Sequence, residues 1–313
     1  MDEGISLEAR SPKLAPSLSA ESIAVIISTR GRPKIVASLI GRLSRQTRPP
    51  DHVFVIASAP DDIAEFASGN PVLTLTVGRP GLTRQRNDGL ALLGSKFSHV
   101  VFFDDDFVPS AFWLERMVRT FNDRHDIAGM TGTILADGIH GAGIDLEAAV
   151  AQVEQRDAAA PRGAPVQQRF PYGHNVGSNM AYRLSAISDL RFDERLPLYA
   201  WHEDSDFRGQ VEKRGLFVKA PDLWGIHLGH KAGRVNGTML GYSQIANVAY
   251  LARKGTVPKR FLMASATRNV LSNVVRYARP EPFIDRRGRL HGNMLALRDM
   301  VYGRLAPERV SLL

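Results

Sequence analysis

The 313-residue sequence predicts an α/β fold, a mostly parallel sheet flanked by helices, with a helical extension at its C-terminal end. Three observations carry that reading. Short β-branched apolar runs alternate with helix-period segments in the order strand, helix, strand, strand, helix, strand, which favours parallel pairing with helices on both faces. Polar residues gather just beyond the ends of these strands, where open α/β sheets bind their ligands. From Thr238 onward the strand pattern disappears and only helical periodicity remains, broken by Pro and Gly.

Taken in order, Ile23-Ala24-Val25-Ile26-Ile27 is a buried strand that stops at Ser28-Thr29-Arg30-Gly31-Arg32-Pro33, a turn leading into a helix. Ile35, Leu39, Ile40 and Leu43 recur at helical spacing, and Pro49-Pro50 lies beyond that helix. Val53–Ala57 and Val72–Val77 are the second and third strands, the latter ending at Gly78. Leu82–Leu93 reads as a helix terminated by Gly94. His99–Phe103 is the fourth strand and runs directly into Asp104-Asp105-Asp106. Phe112–Arg124 is an amphipathic helix, followed by a strand near Ile127–Gly132. Gly138–Gln168, rich in Ala, Gly and Asp, reads as a mobile excursion holding one short helix. Asn175–Arg183 is a strand with small residues along it, and Asp204–Arg214 is a helix. Three helices, Tyr242–Arg253, Lys259–Tyr277 and Leu290–Tyr302, complete the chain, and no internal repeat is present.

Composition narrows the function classes. Apolar residues make up 44% of the chain, an ordinary globular value, and Cys is absent. The absence of Cys excludes disulfides, Cys-ligated metal centres and a Cys nucleophile, and fits a reducing compartment. No apolar run approaches the roughly 20 residues of a membrane span. The first residues read as a loose, Ser- and Pro-containing leader without a signal core. The formal net charge is +8, and it is concentrated: residues 251–313 hold 13 Lys and Arg against 4 Asp and Glu. An anionic lipid surface, nucleic acid, a phosphorylated small molecule or a merely solvated basic face would each account for it. Four thinly spaced aromatics, Phe261, Tyr277, Phe283 and Tyr302, make a poor base-stacking platform, so nucleic acid is disfavoured.

The residues able to carry chemistry lie at the strand ends. Three carboxylates behind a Val-Val-Phe-Phe strand suit a hard divalent cation such as Mg²⁺ or Mn²⁺ better than a helix cap. Strand alternation directs Asp104 and Asp106 to one side and Asp105 to the other. Trp201-His202-Glu203-Asp204-Ser205-Asp206 precedes a helix, where an acidic N-terminal turn and a general base are both compatible readings. His227 and His230, three apart and among glycines, could ligate a metal, touch a phosphate or be structural. Arg84, Arg86 and Asn87 open a helix whose dipole and charge together favour an anion. A P-loop, a Gly-x-Gly-x-x-Gly turn and a Gly-x-Ser-x-Gly elbow are missing, which disfavours P-loop NTPases, NAD enzymes and α/β-hydrolases.

Five segments in a fixed order resemble the motifs of family 2 nucleotide-sugar glycosyltransferases of the GT-A (Rossmann-like) fold, of the bacterial polysaccharide or glycolipid type. They are the turn Ser28–Pro33, Gly81–Gly89, the Asp-x-Asp-like Phe102–Asp106, Gly177–Arg183, and Glu203-Asp204-x-Asp206. The resemblance spans about Ser22–His230. It implies a leader over 1–21, a catalytic domain over 22–237 with a nucleotide-binding half to about 106 and an acceptor half beyond, and a basic helical extension over 238–313. It further implies inverting, metal-dependent, non-processive transfer of one sugar to a glycan or lipid-linked acceptor. Carried over residue by residue, it makes Asp204 the base with Glu203 beside it. Thr29, Arg30, Arg32, Arg86, Asn87, Asp104 and Asp105 would bind the donor, and Asp106, Asp104, His230 and His227 the Mn²⁺ or Mg²⁺. Gly177, Ser178, Asn179, Trp201 and Asp206 would line the sugar and acceptor site. The donor expected first is a UDP-sugar, with dTDP- and GDP-sugars next, because Ile56-Ala57-Ser58-Ala59-Pro60 lacks the Asp that relatives often place after the second strand. Gln210–Gly215 also lacks the Trp of processive members. A cytoplasmic protein follows, peripheral at the inner membrane face through 251–313 or else with those helices packed on the domain or on a second copy. A silent sugar-nucleotide-binding relative and a sugar nucleotidyltransferase are the alternatives.

Overall fold

The computed structural model describes residues 21–64, 66, 72–159, 166–167, 170–173, 177–231 and 236–313. The expected leader lies outside these residues except for Glu21, as do Asn175 and Val176 of the expected small-residue strand and parts of the Gly138–Gln168 excursion.

In chain order the elements are β1 Ile23–Thr29, α1 Pro33–Leu43, β2 His52–Ala57, β3 Leu73–Val77, α2 Leu82–Leu93, β4 His99–Asp104, β5 Phe107–Pro109, α3 Trp113–Asp123 and β6 Ile127–Asp137. Then follow α4 Leu146–Ala159, β7 Asn179–Arg183, α5 Leu184–Ile187, α6 Glu203–Val211, β8 Leu216–His227, α7 Gly237–Lys254, α8 Lys259–Val275 and α9 Arg286–Val301. The strands form one sheet in the order β3-β2-β1-β4-β7-β6-β8-β5. β1 pairs in parallel with both β2 and β4, β2 with β3, and β6 with β8. β7 is antiparallel to β4 and β6, and β5 to β8. The mostly parallel α/β sheet flanked by helices is therefore present, with the helical extension behind it.

Period-two alternation builds the layers. Val25 and Ile27 of β1 enter a core with α1 and α3, through Leu39, Trp113 and Phe121. Ala24 and Ile26 enter the opposite core with Leu90, Phe102, Phe192 and Phe207. Burial on both faces explains why the run reads as continuously apolar. α1 starts at a Pro, whose fixed φ suits the first helical turn. α2 is bounded by Gly81 at φ 119° and Gly94 at φ 57°, angles a side chain would strain.

Several elements depart from expectation. β6 continues to Asp137 instead of stopping at Gly132, because it pairs along its whole length with β8, a 12-residue strand not anticipated. Pro221, Asp222 and Gly225 hide β8, and its register against β6 shifts three times. At Gly132 the two strands approach so closely that a Cβ would stand 2.0 Å from the Leu223 carbonyl oxygen. α4 is a 14-residue helix, not a short one; it buries only Ala149 and Val153 fully, so its apolar stripe is faint. α6 ends at Val211, before Arg214.

The three last helices pack on one another and on the domain. Leu251, Val257 and Leu262 join Leu196 and Ala200 in one apolar cluster. Asn273 of α8 donates hydrogen bonds to Gln244 of α7 and Asn293 of α9, all three buried.

Candidate active site

The carboxyl end of β4 delivers Asp104 in the strand and Asp105 and Asp106 in the turn that follows. Asp105 accepts from the Thr29 hydroxyl at 2.7 Å and from Arg32 at 2.6 Å. Asp106 accepts from the backbone N–H of His230 at 2.8 Å and lies 3.2 Å from the His227 Nε2. Asp104, Asp106 and His227 offer ligand atoms that all lie within 4.8 Å of one another. Two carboxylates and one imidazole form a donor set that suits a divalent cation. The other nitrogen of His227, Nδ1, lies 2.9 Å from Asp137, a carboxylate that orients the ring and leaves Nε2 for the ion. His230 meets Asp106 through its backbone and is not part of this cluster, which corrects the expectation that its ring would join it.

Charge sets the protonation here. Without a cation, burial pulls the His227 pKa down, but its hydrogen bonds and charge interactions with Asp106, Asp137 and Asp104 outweigh this and raise it to about 10, so a cation binding at Nε2 would displace a proton. Burial pushes Asp106 up, yet His227, Arg32 and the His230 N–H hold it well below the usual carboxylate range. At Asp105 burial wins over the pull of Arg32, and its pKa rises to about 7.

Behind this cluster sits Arg86, 2% exposed. Its guanidinium donates to Glu203 at 2.6 Å, to Asp104 at 3.2 Å and to the Gly177 carbonyl at 2.9 Å. The rings of Phe102 and Phe192 flank it at 5.8 and 5.2 Å. Arg86, expected to bind the donor, ties β4, α6 and the Gly177 turn together and also lines the cavity in front of them. Glu203 is buried beneath it, and burial pushes its pKa up to about 8 against the pull of Arg86.

A cavity of about 460 Å³ opens in front of these groups. Asp104, Arg86, His227, Gly177, Ser178, the stretch Tyr199–Ser205 and residues of α8 line it. Asp204 stands in the first turn of α6, where the helix dipole favours an anion. It accepts from the Gly177 N–H at 3.1 Å and the Ser205 N–H at 2.7 Å. The approach to α6 is strained: Leu198, Ala200 and His202 adopt φ of 59°, 53° and 70°. That alternation brings Tyr199 and Trp201 into a stacked pair, ring centroids 6.2 Å apart, on the cavity wall. A second groove of about 150 Å³, with Thr29, Arg30, Arg32, Asp104 and Asp105 on its walls, continues toward Ser58 and also meets Tyr199.

Three expected site residues turn into the protein instead. Asn87 donates to the Phe192 carbonyl and Glu194. The Asn179 Oδ1 accepts from the Gly132 N–H, where β6 and β7 meet. Asp206 is fully buried and ion-paired to Lys254 at 2.7 Å, pinning α6 to the end of α7. Each belongs to a motif whose neighbours reach the cavity, and spacing alone does not show which way a side chain points. Sequence reasoning missed Asp137, Tyr199 and the α8 wall, which only tertiary folding brings to the site.

A family model described as Glycosyl transferase family 2 matches residues 24–191, more than half of the chain. Among solved structures, the chain is similar to the mannosyltransferase PcManGT from Pyrobaculum calidifontis in complex with GDP-Man and Mn²⁺. The identity there is 16% over 95% of this chain and 87% of that one, with a TM-score of 0.52. It is also similar to TarS 1–349 of S. aureus, at 15% identity over 93% of this chain and 83% of that one, TM-score 0.54. No curated protein matches it by sequence.

Proposed function

The chain belongs to glycosyl transferase family 2, and from that premise we propose that it transfers a single sugar from a nucleotide-sugar donor to an acceptor hydroxyl, with inversion and with a divalent cation. Membership of the family makes it a glycosyltransferase and sets the nucleotidyltransferase alternative aside. One observation carries the finer reading: Asp104 and His227 share a single cavity with Asp204, with Asp106 completing the first pair.

In this reading Asp104, Asp106 and His227 hold Mn²⁺ or Mg²⁺, whose positive charge offsets that of the departing diphosphate. The nucleoside lies along the groove of Thr29, Arg30 and Arg32, in the half of the domain before about residue 106. The donor is a UDP-sugar first, with dTDP- and GDP-sugars as alternatives. The acceptor enters from the half that follows, over Gly177, Ser178 and Trp201. Its hydroxyl gives its proton to the Asp204 carboxylate as its oxygen bonds to the anomeric carbon, and the carbon–oxygen bond to the diphosphate breaks on the opposite face. The two N–H donors on Asp204 hold that carboxylate in place. Nuclear magnetic resonance of the product of an α-linked donor tests this directly: a β-linkage is expected, and an α-linkage would reject inversion.

The extension, residues 238–313, gives this reading its location. Among the described residues, 17 large apolar side chains are exposed, and 13 of them lie at or beyond Met263. Val275 is 77% and Val301 84% exposed, beside exposed Arg276, Arg298 and Arg304. Among the described residues no helix is long and apolar enough to cross a membrane. Exposed apolar side chains interspersed with arginines fit an anionic bilayer, so we place the enzyme peripherally at the inner face of the cytoplasmic membrane, acting on a lipid-linked or glycan acceptor. Sedimentation with anionic vesicles, released by salt, is expected. A dimer in solution with no vesicle binding would assign this face to a second copy instead.

A further inference from the structure

α8 has three faces. At about 100° per residue, Phe261, Ser265, Arg268 and Asn269 share one side of the helix, and all four line the cavity. Leu262, Ala266 and Asn273 lie on the side that packs against the protein. Met263, Leu271 and Val274 are exposed on the remaining one. The inner face is polar where a helix added only for packing would be apolar.

Arg268, like Arg30 of the second groove, is not committed to a carboxylate as Arg86 and Arg32 are. Arg86 is committed to Glu203 and Asp104, and Arg32 to Asp105 and Asp106. Arg268 has no ion pair and no hydrogen bond among the described residues. Near it is the His202 ring, whose pKa burial foremost pulls down to about 4, with Arg268 adding to that, so the ring stays neutral. That ring is hydrogen-bonded to Ser265 at 3.0 Å and provides no counter-charge. Asp204 lies in the same cavity without an ion pair to Arg268, so the guanidinium does not serve as the counter-ion of that carboxylate. Arg268 thus brings a cation without a carboxylate partner to the wall that α8 gives the cavity.

We propose that Arg268 is a specificity-determining residue that receives an anionic group of the acceptor, a phosphate or a carboxylate near the reacting hydroxyl. A guanidinium binds either group through two parallel N–H donors. The inference rests on the donor reading above, because it takes the diphosphate of the donor to occupy the Asp104 side and leaves Arg268 for the second substrate. Acceptors in which the hydroxyl-bearing sugar carries a phosphate or diphosphate ester, or is itself an acidic sugar, are favoured over neutral glycans.

The test is a calorimetric titration of the full chain with Mn²⁺ and saturating nucleoside diphosphate, so that the donor site is filled. Pyrophosphate is the phosphate probe and glucuronate the carboxylate probe. Wild type is expected to bind at least one of them, Arg268→Gln about tenfold or more weakly, and Arg268→Lys in between, with nucleotide affinity unchanged in both variants. Pyrophosphate binding alone identifies a phosphate-bearing acceptor, and glucuronate binding alone an acidic sugar. No binding of either probe to wild type, equal binding to Arg268→Gln, or a loss of nucleotide affinity in Arg268→Gln overturns the proposal. If no nucleoside diphosphate binds to the wild type at all, it is the donor reading that fails, and the inference falls with it.

Discussion

The parallel half of the sheet and the last three helices treat charge and apolar surface in opposite ways. In β1 and β4 nearly every apolar side chain is hidden, and the charged groups at the strand ends are buried or half-buried in pairs: Arg86 with Glu203, Arg32 with Asp105, His227 with Asp106. In α8 and α9 apolar side chains face outward and most arginines are exposed. Burial at about 25 cal/mol per Å² of apolar surface accounts for the first region as a folding unit. It does not account for Val275 or Val301, which gain nothing from the fold. That exposed surface is what the membrane contact proposed above would cover.

The largest expected effect lies in the first region. Asp204→Asn removes the proposed proton acceptor and should lower turnover by about 10²–10⁴-fold, with donor affinity nearly unchanged. Steady-state rates beside a donor titration check it, and retained turnover would remove Asp204 from the mechanism. Next comes Arg86→Gln, which strands Glu203 and Asp104. A cost of about 3 kcal/mol in denaturant unfolding is expected, at the lower end for a broken buried pair because Glu203 can take up a proton. A smaller effect follows from His99, 3% exposed and stacked on Phe121 with ring centroids 4.7 Å apart. Burial, with Arg183 nearby, pulls its pKa down to about 4. A pKa below the ordinary value means the contribution of the neutral ring is present above about pH 6.5 and lost as pH falls toward 4. Stability against thermal unfolding should therefore weaken over that window, and His99→Gln should remove that pH dependence, up to about 3 kcal/mol at its acid end. Smallest is the tail: Arg276→Gln or Arg298→Gln should each weaken anionic-vesicle binding by about 1 kcal/mol and leave the donor site untouched. A coupled loss of donor binding would erase the division between the two regions.

How far the sequence revealed this structure follows the same division. The strands β1, β2 and β4 and the helix α2 stand within a residue or two of where periodicity and the bounding glycines place them. Their local pattern agrees with their tertiary setting. β8 was illegible because three register shifts and a Pro break its alternation. At the site, the carboxylates of β4 and α6 were legible as types at strand and helix ends. Their division of labour was not: Asp204 faces the cavity while Asp206, two residues on, points into the core. Asp137 and Arg268 carry no local signal at all, because the first acts through His227, 90 residues away, and the second reaches the cavity only when α8 folds back.

The central claim is that Asp104, Asp106 and His227 bind a divalent cation that holds a nucleotide-sugar donor. Calorimetric titration of the protein with nucleoside diphosphates, with and without Mn²⁺, tests it most directly. The account predicts tight binding of one of them, dependent on the metal and abolished in Asp106→Ala while that variant remains folded. Equal binding without metal, or undiminished binding in Asp106→Ala, would contradict it.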